Sequence, residues 1–198
     1  MGQPVLPQRA TAANAEVISV EWLFEPSWPG DRLMARVDGG RVSLTDAAGQ
    51  LLEADMTHAI DALAAGVRAT AALVDGIWTA QRLPDTDRQA FVAVDLVELD
   101  GELLHDVPFQ ERRRLLESVI AEGEDLRLSP VVKHPVAGWM DAWRAGGFTH
   151  YLAKHQNSRY SPGEENDECL ELPIRTSAPH GVVAGLVGRR DRVKRIRD

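Results

Sequence analysis

Short runs of alternating apolar and polar residues recur along the chain and outnumber the helical patterns. Residues 17–24 alternate and predict a strand, followed by a Pro/Gly-rich break at 25–30. Residues 32–37 predict a second strand, Asp38-Gly39-Gly40 a hairpin turn and 41–45 its partner. Residues 46–49 form another turn. Met56, Ile60, Leu63 and Ala64 have helical spacing, so 56–65 predict a helix with Asp55 as N-cap and Gly66 as its stop. Residues 69–74 predict a short strand closed by Asp75-Gly76, and 91–99 a stronger one ended by Asp100-Gly101. Residues 108–121 read as a helix with Pro108 in its first turn. Residues 126–132 are β-compatible, 136–145 predict a helix, and 148–153, 169–175 and 182–187 predict strands. No repeat interrupts this order. Mixed strands with a few helices in this arrangement predict an α+β fold built on antiparallel sheets.

Length and composition narrow the setting. The 198 residues suit one domain, and 44% hydrophobic with 26% charged residues matches soluble globular chains. No apolar run reaches the roughly 20 residues needed to span a bilayer. Residues 1–16 lack the apolar core of a secretory signal and read as a flexible leader; the default compartment is the cytoplasm. A single cysteine, Cys169, excludes an internal disulfide and reads as a small packed side chain. The net charge of −8 is uneven: the last ten residues hold six Lys/Arg and two Asp, leaving 16 basic and 28 acidic residues in the rest, a charge of −12. Such a body repels a phosphate backbone, so weak nucleic-acid contact is expected only through the basic tail, Arg189 to Arg197.

Generic catalytic motifs are absent: there is no GxSxG, HExxH, Walker lysine loop or GxGxxG. His150, His155, Cys169 and His180 are spaced by five, fourteen and eleven residues, which fits no standard zinc site, and no metal is expected. Trp22, Trp139 and Trp143 read as packing residues.

A longer pattern carries more. The run Phe24-Glu25-Pro26-Ser27-Trp28-Pro29-Gly30-Asp31-Arg32, then LMARVDGGRVSL, resembles the first signature of ATP-dependent DNA ligases, which reads roughly E-P-K-W-D-G-x-R. FVAVDLVELDGELLHDVPFQERRRLLESVI resembles the ligase segment around F-D-L-L-x-L-D-G with its E-R-R-x-L-L-E helix. YLAKHQNSRYSPGE resembles the end of E-G-x-V-x-K plus S-x-Y-x-P-G. The resemblance spans about 17–187 and is to the adenylation, or nucleotidyltransferase, domain. It implies an ATP-grasp/ligase-like core over 17–180: two packed antiparallel β-sheets flanked by helices, with a nucleotide cleft between them. Residues 181–198 would be a truncated entry to an OB-fold domain plus the basic tail, with no complete OB-fold.

The same resemblance implies that the chemistry is degraded. Ser27 stands where the family has its nucleophilic lysine, and a serine needs an adjacent general base to replace it. Pro29 replaces an aspartate, and Trp28 and Trp78, beside the altered signature positions, are expected to fill the vacated cleft. Ile77 replaces the carboxylate that accepts a ribose hydroxyl, and Val94 the aromatic ring that stacks on adenine. Thr149 replaces the metal-linked glutamate and His150 a glycine. Glu171 and Pro173 fall where phosphate-binding lysines are expected. Glu25, Arg32 and Lys154 are the residual nucleotide-binding residues, with ion pairing at the cleft wall the favoured role for Arg32 and Lys154. Arg112 and Arg113 are expected in surface ion pairs. The resulting expectation is an inactive ligase-like protein, without cofactor, acting as a binding or scaffold protein with a protein partner and linked to DNA repair. The alternatives are an active or residual ligase, using ATP and magnesium, and a non-catalytic nucleotide sensor.

Overall fold

A computed structural model describes residues 4–52, 56–81, 83 and 87–175. The elements in chain order are β1 (Arg9–Ala12), β2 (Trp22–Pro26), β3 (Gly30–Asp38), β4 (Arg41–Asp46), α1 (Thr57–Gly66), β5 (Ala71–Thr79), β6 (Phe91–Leu99), β7 (Glu102–Leu103), α2 (Phe109–Val119), β8 (Leu126–Leu128), β9 (Val132–Lys133), α3 (Ala137–Ala145), β10 (His150–His155) and β11 (Glu165–Pro173). They build two sheets. One runs β1-β11-β10-β2-β9; the other runs β4-β3-β5-β6-β7, with β8 added beside β6. The pairings are antiparallel except β1 with β11 and β6 with β8, so the expected architecture of two helix-flanked sheets is found.

Alternation in each strand separates an outer, helix-covered face from an inner one. In the second sheet Leu33, Ala35, Val37, Ala72, Val74, Phe91, Ala93 and Leu96 point outward, where they pack with Ala59 and Leu63 of α1 and Leu116 and Val119 of α2. In the first sheet Phe24, Tyr151, Ala153 and Leu172 pack against Trp143 of α3. Trp143 is buried, while Trp139 is 47% exposed. Among the described residues no helix is long and apolar enough to cross a membrane.

Several expectations are corrected. Arg9–Ala12 is not a flexible leader: it is a sheet strand paired in parallel with β11. The strand expected over 17–24 forms at Trp22–Pro26 instead. Asp75-Gly76 does not close β5 but lies in its middle. Gly76 is there for space: a Cβ would sit 2.4 Å from the Phe91 ring and 2.8 Å from the Val92 carbonyl oxygen. Asp100-Gly101 does form a turn, with both residues at positive φ. Arg112 is no surface residue; it is 1% exposed. Asp55, His180, the strand expected over 182–187 and the basic tail lie outside the described residues.

Candidate functional site

The inner faces of the two sheets enclose a cavity of about 300 Å³. On the first sheet, cross-strand register puts Glu25, Leu152 and Glu171 on one rung and Leu23, Lys154 and Cys169 on the next. Ser27 follows β2, and its N–H donates to the His150 carbonyl at 3.1 Å. Trp28, Gly30, Arg32, Asp75, Ile77, Asp95 and Tyr160 complete the wall from the other side, and Pro7 to Ala10 close one end.

Asp95 reaches this face because the β5–β6 ladder slips. Phe91 and Ala93 face the helices, strict alternation would send residue 95 the same way, yet Leu96 takes that place. The register shift near Asp75/Gly76 supplies the extra residue and turns Asp95 inward.

Nearly every charge at the wall is already engaged. Arg32 makes two hydrogen bonds to Asp75, Nε to Oδ1 at 2.6 Å and Nη2 to Oδ2 at 2.7 Å. The Tyr160 hydroxyl donates to Asp75 Oδ2 at 2.8 Å and accepts from the Gln8 N–H at 3.1 Å. Lys154 Nζ lies 2.5 Å from Glu25 Oε1, with both side chains buried. Arg112 reaches Asp95 through Nε and Nη2, both at 2.9 Å, and donates from Nη1 to the Val107 and Ser158 carbonyls. Ser27 Oγ donates to Glu171 Oε1 at 2.6 Å.

These pairings set the protonation states. Burial opposes the charge on Asp95, but Arg112, Lys154 and the Leu96 N–H outweigh it and hold the carboxyl below its ordinary range. Burial likewise opposes the charge on Lys154, and Glu25 and Asp95 overcome it, keeping the ammonium above its usual value. For Arg32, burial again pulls downward and Asp75 reverses the sign. Burial pushes the Tyr160 hydroxyl well up, aided by Asp75, so it stays a neutral donor. Burial also pushes up the Cys169 thiol, against the pull of Lys154, which leaves it a poor nucleophile.

The positions singled out from sequence separate into two groups. Ser27, Ile77, Glu171, Arg32 and Lys154 line the cavity, with Glu25 buried directly behind Lys154. Val94 is buried and is not a cavity wall residue, Thr149 is exposed, and Pro173 lines a separate pocket beside α3. Trp28 lines the cavity as expected, but Trp78 packs against the helix-side core. Among the described residues no cluster of His, Cys, Asp and Glu is arranged to hold a metal.

Sequence reasoning missed Tyr160 and Gln8 as wall residues and misplaced Arg112. It put Glu171 at the site but not against Ser27, to which β11 brings it across 144 positions. Tyr160 and Gln8 tie the N-terminal segment to Asp75 by the same long-range route. Arg112 did carry a signal: it falls three residues after Phe109 and four before Leu116, on the apolar stripe of α2.

The geometry can be set against known proteins. The ligase domain of Mycobacterium tuberculosis LigD superposes with a TM-score of 0.69 at 26% identity, over 84% of this chain and 58% of that one. The structure of mycobacterial DNA ligase D complexed with ATP and MES gives a TM-score of 0.70, also at 26% identity, over 85% of this chain and 60% of that one. In sequence, the multifunctional non-homologous end joining DNA repair protein LigD of M. tuberculosis is 30% identical over 173 residues, 81% of this chain. The homologues of this chain are ATP-dependent DNA ligases. A DNA ligase of the archaeon Thermococcus onnurineus is 25% identical over 199 residues, 86% of this chain. The chain spans only 22% of the mycobacterial relative and 35% of the archaeal one. No protein-family model matches it. The fold is that of the ligase adenylation domain, and the cavity lies between its two sheets.

Proposed function

We propose that this chain is a ligase-type adenylation domain that transfers no nucleotide and acts by binding, as a scaffold in a DNA-repair assembly. The observation that carries this reading is the Ser27–Glu171 hydrogen bond of 2.6 Å. A hydroxyl and a carboxylate occupy positions where the ligase resemblance implies two lysines. Apart from the exposed Arg9, the cations of the wall are turned inward, Arg32 onto Asp75 and Lys154 onto Glu25. A triphosphate therefore meets no free buried cation, and phosphoryl-type transfer depends on such charge stabilisation.

Incubation with α-labelled ATP and magnesium or manganese tests this. No label should survive denaturation. Ser27→Lys should remain unlabelled as well, because the new amine ion-pairs with Glu171 and stays protonated and non-nucleophilic. A denaturation-resistant adduct on the parent refutes the reading.

Arg32 and Lys154 at the cavity wall support a second reading, a nucleotide sensor. Calorimetry with ATP decides between them: the scaffold reading expects no heat of binding, and saturable binding without labelling favours the sensor. Contact with DNA is assigned to the basic tail. Duplex binding to the full chain should be weak, fall steeply with salt, and vanish when the six basic residues of 189–198 are replaced by serine. Unchanged affinity after that replacement places the DNA contact on the body instead.

A further inference from the structure

The charge balance inside the cleft points to a ligand class of its own. Arg32 is matched by Asp75, Lys154 by Glu25 and Asp95 by Arg112. Among the described residues the Glu171 carboxylate has no cationic partner; its side chain accepts from the neutral Ser27 hydroxyl, which occupies Oε1. Arg9, the other charged residue at the wall, is an exposed side chain at the N-terminal end of the cavity. The inner cavity thus carries one uncompensated negative charge. Trp28 lines the same cavity, one position after Ser27; its indole N–H donates to Ser129 Oγ at 3.0 Å and its ring meets Phe148 edge-on with centroids 4.9 Å apart. A fixed aromatic ring and a carboxylate without a cationic partner in one cavity suit a cation, which gains from both. The volume, about 300 Å³, is at the low end for ligand cavities and suits one slender group better than a whole nucleotide triphosphate.

We infer that the cleft takes an alkylammonium group, seated between the Glu171 carboxylate and Trp28, from either a small primary amine or a lysine side chain of another protein. This rests on the non-catalytic reading, since a cleft that binds and transfers ATP must attract anions. No bond is made or broken.

Binding is read from Trp fluorescence and calorimetry on the full chain. The probes are n-butylamine, Nα-acetyl-lysine methylamide, its Nε-acetylated counterpart, and a short extended peptide with a central lysine. The charged lysine probe should bind saturably and the acetylated one should not. Glu171→Gln, which keeps size and a hydrogen-bond acceptor, should weaken binding by about tenfold or more. Trp28→Phe should weaken it less, since a ring remains. Equal affinity for charged and acetylated probes, insensitivity to Glu171→Gln, or no saturation by any probe overturns the inference. Binding of n-butylamine and the lysine derivative without the peptide assigns the site to small amines; peptide binding assigns it to protein lysine. The α-labelled ATP experiment runs in parallel. Absent amine binding with no nucleotide label rejects this inference alone, whereas a label rejects the reading beneath it.

Discussion

Arg112→Met lowers the unfolding free energy by about 3–5 kcal/mol, the usual cost of stripping one partner from a buried ion pair. Arg112 and Asp95 are each 1% exposed, and the guanidinium also serves the Val107 and Ser158 carbonyls. Methionine fills much of the volume but leaves Asp95 charged, buried and without its counter-ion. Urea unfolding followed by circular dichroism measures the loss. The double variant Arg112→Met/Asp95→Leu should recover a large part, because the uncompensated charge goes with the second change. A loss below about 1 kcal/mol, the range of a surface pair, would show that the pair is solvated in solution. The pH direction follows from the depressed carboxyl of Asp95. The group contributes stability above its ordinary unfolded range, and that stability is lost as pH falls through its lower folded value. Acid is therefore the vulnerable side, and Asp95→Asn should flatten the acid limb.

Lys154→Met produces a comparable loss at neutral pH with a different signature. Glu25 is 1% exposed, and Lys154 is the only cation recorded against it among the described residues. In the parent, the raised ammonium of Lys154 contributes stability below its ordinary unfolded value of about 10.4, lost as pH climbs through the folded one. Without Lys154 the Glu25 side chain is left buried with no cation against it among the described residues, at a cost of about 3–5 kcal/mol. The variant also lacks the alkaline loss that Lys154 brings to the parent, so the gap between the two should narrow as pH climbs past about 10.4. Urea midpoints near pH about 7 and about 11 report it. A gap that stays constant would mean that Lys154 contributes no charge interaction with Glu25. Lys154→Met/Glu25→Leu should recover most of the loss at neutral pH.

Much of the fold was legible because its signals are local. The β3–β4 hairpin follows from Asp38-Gly39-Gly40 between alternating runs, and α2 follows from Pro108 and the apolar stripe after it. What escaped depends on partners distant in the chain. Arg-Ala-Thr-Ala at 9–12 has no strand pattern of its own and becomes a strand only because β11 offers an edge. Asp75-Gly76 has turn composition, but the deciding fact is the closeness of Phe91, invisible from the dipeptide. The slip that turns Asp95 toward the cleft breaks the two-residue period on which any strand reading rests. Ser27, Arg32, Ile77, Lys154 and Glu171 were placed at the cleft through the ligase resemblance; their internal pairing was not, since Ser27 meets Glu171 only across the finished sheet.

The order of strands in space dictates an order of assembly. Every strand of the second sheet comes from residues 30–128, so that sheet can close while the chain is still growing. The first sheet cannot. β2 has β10 and β9 as its neighbours, and β1 has only β11, so the first strands made wait for the last. Until His150–His155 emerges, Trp22, Leu23 and Phe24 lack their β10 partners, and only the two-residue β9 is available to Leu23 and Phe24. The cleft, which requires both sheets, forms only after the first of them closes, and a nascent chain stalled before residue 150 presents that apolar segment to chaperones or to other chains.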